Sequence, residues 1–261
     1  MSRLADVFAR ERARGSRALV CYLVAGDPDL ESSRRLAERV IKGGADVVEL
    51  GLPFSDPIAD GPVLQAAATR ALGGGMTISR ALEFAASLSP LGAPLVGMGY
   101  YNPLLAFGLD RFAERAAAAG LAGVIVPDLP HEEARPLHDA LAAHGLDLVP
   151  LVAPTTSPDR MRAVAEAARG FVYYVSVAGV TGARAGLPTD LAARLADLRS
   201  AAKVPVAVGF GVSTPEHARA IARLADGVVV GSALVKLWHE TGSLDAVEAF
   251  VRGLKLALSG D

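Results

Sequence analysis

Short apolar runs recur along the chain at 19–25, 47–50, 95–98, 123–126, 148–153, 171–175, 206–208 and 228–230, each of a length that suits a buried parallel strand. Between them lie stretches rich in Ala, Arg, Glu and Leu with helical spacing, such as Leu36, Val40 and Ile41 after Leu30, or Phe112, Ala116 and Ala119. Several of these open on helix-start signals: Ser157-Pro158, Ser213-Thr214-Pro215-Glu216 and Asp110. A further helix is predicted at the N-terminus, with Leu4, Val7 and Phe8 facing inward.

Eight alternations with no Pro/Gly/Ser linker and no shift in composition fit one α/β domain over residues 1–261, a single (β/α)8 TIM barrel with an N-terminal helix. An open doubly wound sheet is the alternative architecture. The longest intervals follow strands two and six, on the face where barrel loops commonly act as lids. Part of the first excess is an extra helix, because 62–72 and 77–88 read as two helical segments split by Gly73-Gly74-Gly75. A second extra helix is expected after strand eight.

Composition narrows the partners. With 26 basic and 28 acidic residues in 261, the net charge of −2 provides no field for holding a polyanion, so nucleic acid is not expected. Residues 84–109 carry no charge, yet Pro90, Pro94, Pro103 and several glycines would break a spanning helix, so no membrane insertion is expected. The single cysteine, Cys21, cannot pair internally and reads as a small core residue, and no metal-ligand spacing is present. A reducing, cytoplasmic setting follows as an expectation.

The candidate chemistry begins in the segment 47–61, where Glu49 stands near the end of an apolar strand and Asp60 follows in a proline-rich loop. Burial of Glu49 would raise its pKa toward the range useful for proton transfer, and two carboxylates in unlike surroundings can take separate roles. Spacing alone leaves open a plainer reading, with Glu49 a salt-bridged strand end and Asp60 a helix cap before Pro62. Asp56, beside Pro57, reads as a turn residue.

A second cluster lies in the last third: Gly179-Val180-Thr181-Gly182 after strand six, Gly209-Phe210-Gly211-Val212-Ser213 after strand seven, and Gly231-Ser232 after strand eight. Glycines at three successive strand ends let backbone N–H groups approach an anion, and a helix starting after Gly231 adds its positive end. No Lys or Arg lies in these motifs, so neutral donors suited to a small phosphate monoester dominate. Of Tyr173 and Tyr174 only one can face the barrel interior. Asp128 reads as a turn residue or a buried hydrogen-bonding group, and the five histidines as helix-surface or capping residues.

The stretch VELGLPFSDPIADG at 48–61 closely resembles the signature of the tryptophan synthase alpha-chain family. The likeness runs on through GDPD at 26–29, YYNP at 100–103, VPDLPHEE at 126–133, AGVTG at 178–182, GFGVS at 209–213 and GSALVK at 231–236. It implies a carbon–carbon lyase that cleaves indole-3-glycerol phosphate to indole and glyceraldehyde 3-phosphate by a retro-aldol reaction. It further implies that indole passes to a beta chain in an alpha2beta2 heterotetramer; that chain carries pyridoxal phosphate, and this one carries no cofactor.

By the same resemblance, Glu49 protonates indole C3 and serves as base for the side-chain hydroxyl, while Asp60 accepts the indole N–H. Tyr173 orients Glu49 or the substrate, Tyr22, Leu64, Met98, Tyr100, Ile125 and Phe210 line the indole pocket, and Thr181 helps close the strand-six loop onto Asp60. Gly182, Gly211, Gly231 and Ser232 hold the phosphate, and Asp56, Pro57 and Asn102 meet the beta chain. Tyr22 and Met98 stand where the family often has phenylalanine and leucine, and Val177 where a basic residue is frequent, which bears on pocket shape and lid closure. The alternatives are a stand-alone indole-releasing lyase, a silent barrel that only activates a partner, and another sugar-phosphate isomerase or aldolase.

Overall fold

The computed structural model describes residues 2–175, 190–209 and 211–259. All strands belong to one parallel sheet: β1 Ala18–Val24, β2 Val47–Gly51, β3 Leu95–Met98, β4 Leu121–Ile125, β5 Asp147–Val149, β6 Leu151–Val152, β7 Val172–Val175, β8 Val206–Gly209 and β9 Gly227–Val230. Their order is β5-β4-β3-β2-β1-β9-β8-β7-β6. The two end segments, β5 and β6, are consecutive in the chain and separated only by Pro150, so the sheet closes on itself as a barrel.

The fifth predicted strand is therefore split. Proline has no N–H to give to a ladder, while its carbonyl still accepts from the Tyr173 N–H at 3.0 Å. Eight strands are thus drawn as nine segments.

The helices are α1 Arg3–Ala13, α2 Leu30–Gly43, α3 Pro62–Gly73, α4 Ile78–Leu88, α5 Tyr101–Phe107, α6 Leu109–Ala118, α7 Arg135–Ala143, α8 Pro158–Ala167, α9 Leu191–Ala201, α10 Pro215–Ala222, α11 Ser232–Thr241 and α12 Leu244–Leu258. The pairs α3/α4 and α11/α12 supply the extra helices expected after strands two and eight. A third pair, α5/α6, was not expected: α5 starts in the Tyr101-Asn102-Pro103 segment, where the proline reads as a breaker but occupies the first turn, a position a helix tolerates. Of the three predicted helix starts, Thr214 accepts from the His217 N–H at 3.2 Å. Ser157 makes no side-chain cap bond, and Asp110 lies inside the first turn of α6 with Gly108 as the cap.

Strand alternation divides the interior into two apolar sets. Residues facing the barrel axis, among them Val20, Val47, Val96, Ile125, Val149, Tyr173, Ala207 and Val229, form one cluster. Their neighbours, including Leu19, Val48, Leu95, Val124, Tyr174 and Val208, pack outward under the helices. Tyr173 is thus the inward member of its pair.

α1 lays Leu4, Val7 and Phe8 against the axial cluster and closes the N-terminal end of the barrel. Burying such side chains is worth about 1.5–3 kcal/mol each. Around this plug, Lys255 of α12 donates to Glu11 at 2.7 Å and to Asp46 at 2.6 Å, and Asp46 also accepts from the Leu19 N–H at 2.8 Å. One cation thereby joins three distant parts of the chain. Among the described residues no helix is long and apolar enough to cross a membrane.

Candidate active site

Parallel register sets the first layer of the site. Tyr22 on β1 pairs with Glu49 on β2, Glu49 with Val96, and Gly51 with Met98, which in turn pairs with Ile125 on β4. Inward-facing positions at the strand ends thus converge at the C-terminal mouth. Glycine is required beside the largest of them, because a Cβ on Gly51 would stand 2.2 Å from the Tyr22 Oη. Gly209 gives the Tyr173 phenol the same room: a Cβ there would lie 2.2 Å from its Oη.

Glu49 is 1% exposed and, among the described residues, its Oε2 has no hydrogen-bond partner. Burial, with a further contribution from the Asp60 charge, pushes its carboxyl up to about 8. Among the described residues no cation offsets it, so the plainer reading of a salt-bridged strand end finds no support there. Asp60 is 7% exposed, and burial pushes it up to about 6, against the pull of a hydrogen bond from Tyr100. The Tyr100 Oη also accepts from the Ala59 N–H at 3.1 Å, so one phenol grips the loop at two adjacent residues. Asp60 precedes Gly61, the N-cap of α3, and is itself not the cap. Burial raises the phenols of Tyr22 and Tyr173 as well, and the charges of both carboxylates add to it.

Glu49, Asp60, Tyr22, Leu64, Met98, Ile125, Tyr173, Gly211, Gly231 and Ser232 all line one cavity of about 910 Å³. Tyr100 adjoins this set through its bonds to Asp60 and Ala59. Thr181, Gly182, Val177 and Phe210 lie outside the described residues.

On the phosphate side, Gly211 has φ +83°, a conformation that favours glycine, and Gly231 caps α11 with no side-chain bond. The Gly231 carbonyl accepts from Leu234 and Val235. The earlier amides at the start of this helix point out of its hydrogen-bond ladder, as at any helix N-terminus.

The cavity also takes in residues that sequence reasoning passed over, notably Leu129, Leu151, Val175 and Val212. Val175 was within reach, since it is two positions from Tyr173 on the same strand and so shares its face. Asp128 accepts from the Tyr101 N–H at 2.9 Å and so satisfies the start of α5. Cys21 is buried with its thiol pushed well up, which fits a core residue. Asp56 and Asn102 are exposed and Pro57 half-buried on the rim of the mouth. The described residues contain no cluster of potential metal ligands.

Comparison with known proteins agrees over the whole barrel. A family model described as tryptophan synthase alpha chain matches residues 8–256. The chain is 48% identical to the tryptophan synthase alpha chain of Citrifermentans bemidjiense over 98% of its own length and 97% of the relative's. It is 52% identical to that of Gloeobacter violaceus, over 98% and 94%. Among solved structures it superposes on a chain of Mycobacterium tuberculosis tryptophan synthase with a TM-score of 0.94 at 40% identity, covering 100% and 99% of the two chains. A structure from Aquifex aeolicus gives 0.93 at 40% identity, with 100% of both chains covered. With family model, relatives and fold in agreement along nearly its full length, the chain belongs to the tryptophan synthase alpha-chain family, the indole-3-glycerol phosphate lyase subunit.

Proposed function

We propose that Glu49 and Asp60 perform the acid–base and electrostatic work of this carbon–carbon lyase. The observation that carries the reading is the buried Glu49, uncompensated by any cation among the described residues and opening onto the same cavity as Asp60. With its carboxyl pushed up to about 8, Glu49 is protonated at neutral pH and able to act as an acid.

In the reading proposed, the Glu49 proton passes to indole C3, leaving a cationic ring nitrogen. The ionised Asp60 accepts the ring N–H and stabilises that charge where water is excluded. The Glu49 carboxylate then takes the proton of the adjacent side-chain hydroxyl. The C–O bond becomes a carbonyl, the bond to C3 breaks, and its electron pair returns to the ring. Neutral indole and glyceraldehyde 3-phosphate result, and Glu49 ends protonated as it began.

Tyr173 steers Glu49 in this scheme, and the backbone around Gly211, Gly231 and Ser232 receives the phosphate. From the resemblance alone, Gly182 is assigned to the phosphate and Thr181 to closing the strand-six loop onto Asp60. Two carboxylates in one cavity support catalysis over a silent, partner-activating role. No other group is needed for the steps as written, and pyridoxal phosphate is assigned to the beta chain.

The family implies a beta-chain partner, and an alpha2beta2 assembly in the cytoplasm belongs to the proposal. The rim carrying Asp56, Pro57 and Asn102 is the docking surface proposed for it, supported by Ile58 at 78% and Leu105 at 52% exposure on the same side. The test is Glu49→Gln, which keeps shape and loses the proton. Binding of a substrate analogue is expected to persist while indole release from saturating indole-3-glycerol phosphate falls at least a hundredfold, as for loss of a general acid (roughly 10²–10⁴). Retention of most turnover refutes the assignment.

A further inference from the structure

Asp60 sits at the leading end of α3, and α3 is an unusual helix to entrust with placing a catalytic group. Its buried face consists of Ala67, Ala68 and Ala71. Methyl groups offer few interlocking contacts, so such a face resists sliding weakly. Gly61, its N-cap, makes no side-chain bond; the leading end is held by Gln65, whose Nε2 donates to the Asp60 carbonyl at 2.9 Å, and by the Tyr100 phenol.

Val63 and Leu64 pack against the core near the start of α3, and the far end of the helix is held by an ion pair. Arg70, in the last turn of α3, gives its Nε to one carboxylate oxygen of Asp27 at 2.7 Å and its Nη2 to the other at 2.9 Å. Such a two-pronged bond constrains orientation as well as distance. Asp27 is 4% exposed and itself held: its N–H donates to the Val24 carbonyl at 3.3 Å, and its carbonyl accepts from the Ser33 Oγ at 3.1 Å. The anchor is thus the end of β1 together with α2, the framework that also carries Tyr22.

We infer that the Asp27–Arg70 ion pair is a positioning element for Asp60, setting where α3 and the carboxylate at its leading end stand over the barrel mouth. The inference rests on the role proposed for Asp60. Arg70 lies roughly 12 Å along the helix from Pro62 at 1.5 Å per residue. A helix is stiff over that length, so slack at Arg70 reaches Asp60. Displacements of about 1 Å in a reacting constellation cost up to roughly a hundredfold in rate.

The single change Arg70→Met leaves a buried carboxylate unpaired and risks misfolding, whereas removing both partners does not. The test therefore uses the paired variant Asp27→Asn/Arg70→Met, measured alone and in an Asp60→Asn background, with indole release from indole-3-glycerol phosphate at a fixed beta-chain concentration. The paired variant is expected to fold, to lose about tenfold in kcat and to keep KM within about twofold, because transition-state placement is lost and substrate binding is not. In the Asp60→Asn background the same change is expected to cost less than about twofold, since the group it positions is gone. Arg70→Lys, which keeps the charge and loses the fork, is expected to fall between.

Wild-type kcat in the paired variant overturns the inference. So does an equal loss in both backgrounds, which is the signature of a structural role independent of Asp60. Near-normal turnover by Asp60→Asn alone overturns the role of Asp60 itself, and with it this inference.

Discussion

Keeping Glu49 buried, with one carboxylate oxygen unpartnered among the described residues, sets activity against stability, and the conflict is measurable. In the folded chain its carboxyl is pushed from an ordinary 4.5 up to about 8, mainly by burial. Folding therefore favours the protonated form. Below pH 4.5 both folded and unfolded chains hold the proton and Glu49 imposes no electrostatic cost. As pH rises from there, the unfolded chain releases it and the folded chain does not, so stability falls until the folded carboxyl also ionises near pH 8.

The interval between 4.5 and about 8, at about 1.4 kcal/mol per pH unit, amounts to about 5 kcal/mol, comparable to the whole stability of many domains. Urea unfolding of wild type and Glu49→Gln at pH 5, 7 and 9 and constant ionic strength isolates this contribution, because every other titrating group is common to both. The wild-type curve is expected to fall by about 4 kcal/mol relative to the variant between pH 5 and 9. The variant gains stability at high pH as it loses catalysis. Parallel curves would mean that Glu49 is solvated or paired in solution, and would remove the physical basis for its acid role.

Three further outcomes follow from the geometry. Tyr100→Phe removes a bond that lowers the Asp60 pKa, so the acid limb of kcat/KM, set near 6 by Asp60, is expected to move to higher pH, and an unmoved limb rules out Tyr100 as its anchor. Gly51→Ala drives a methyl to 2.2 Å from the Tyr22 Oη and is expected to destabilise by about 1–3 kcal/mol, with most of the loss recovered in a Tyr22→Leu background; equal losses in both backgrounds contradict the contact. Lys255→Met removes the cation shared by Glu11 and Asp46, leaving Glu11 with Arg10 and Arg14 and Asp46 with the Leu19 N–H, and is expected to cost about 1–3 kcal/mol in chemical unfolding with kcat unchanged, so a drop in kcat without loss of stability would contradict a purely structural role.

What could be read from the sequence was what depends on local pattern. Strands such as 206–208 and 228–230 are apolar on both faces, and a lone Glu in an apolar strand declares itself. Pro103 hid α5 because a proline in the first turn of a helix looks, in sequence, like one that ends a helix. Pro150 hid the break in the fifth strand because the apolar run continues across it. The resemblance places Tyr100 near the pocket but does not give the partners of its phenol, which are set by the loop that brings Ala59 and Asp60 to it. The Asp27–Arg70 pair spans 43 positions and depends on how α3 lies across the end of β1, which no periodicity reports.

The apolar plug made by α1 bears on traffic through the enzyme. With Leu4, Val7 and Phe8 packed into one end, the described residues form a cup closed at the N-terminal pole, whose cavity opens at the mouth that carries Glu49 and Asp60. An uncharged product such as indole, which a lipid bilayer would not retain, then faces a closed floor on the side away from the mouth. A beta chain seated there, as proposed, would meet the product as it emerges, so the N-terminal helix, at the opposite pole from the chemistry, bears on the side from which indole leaves.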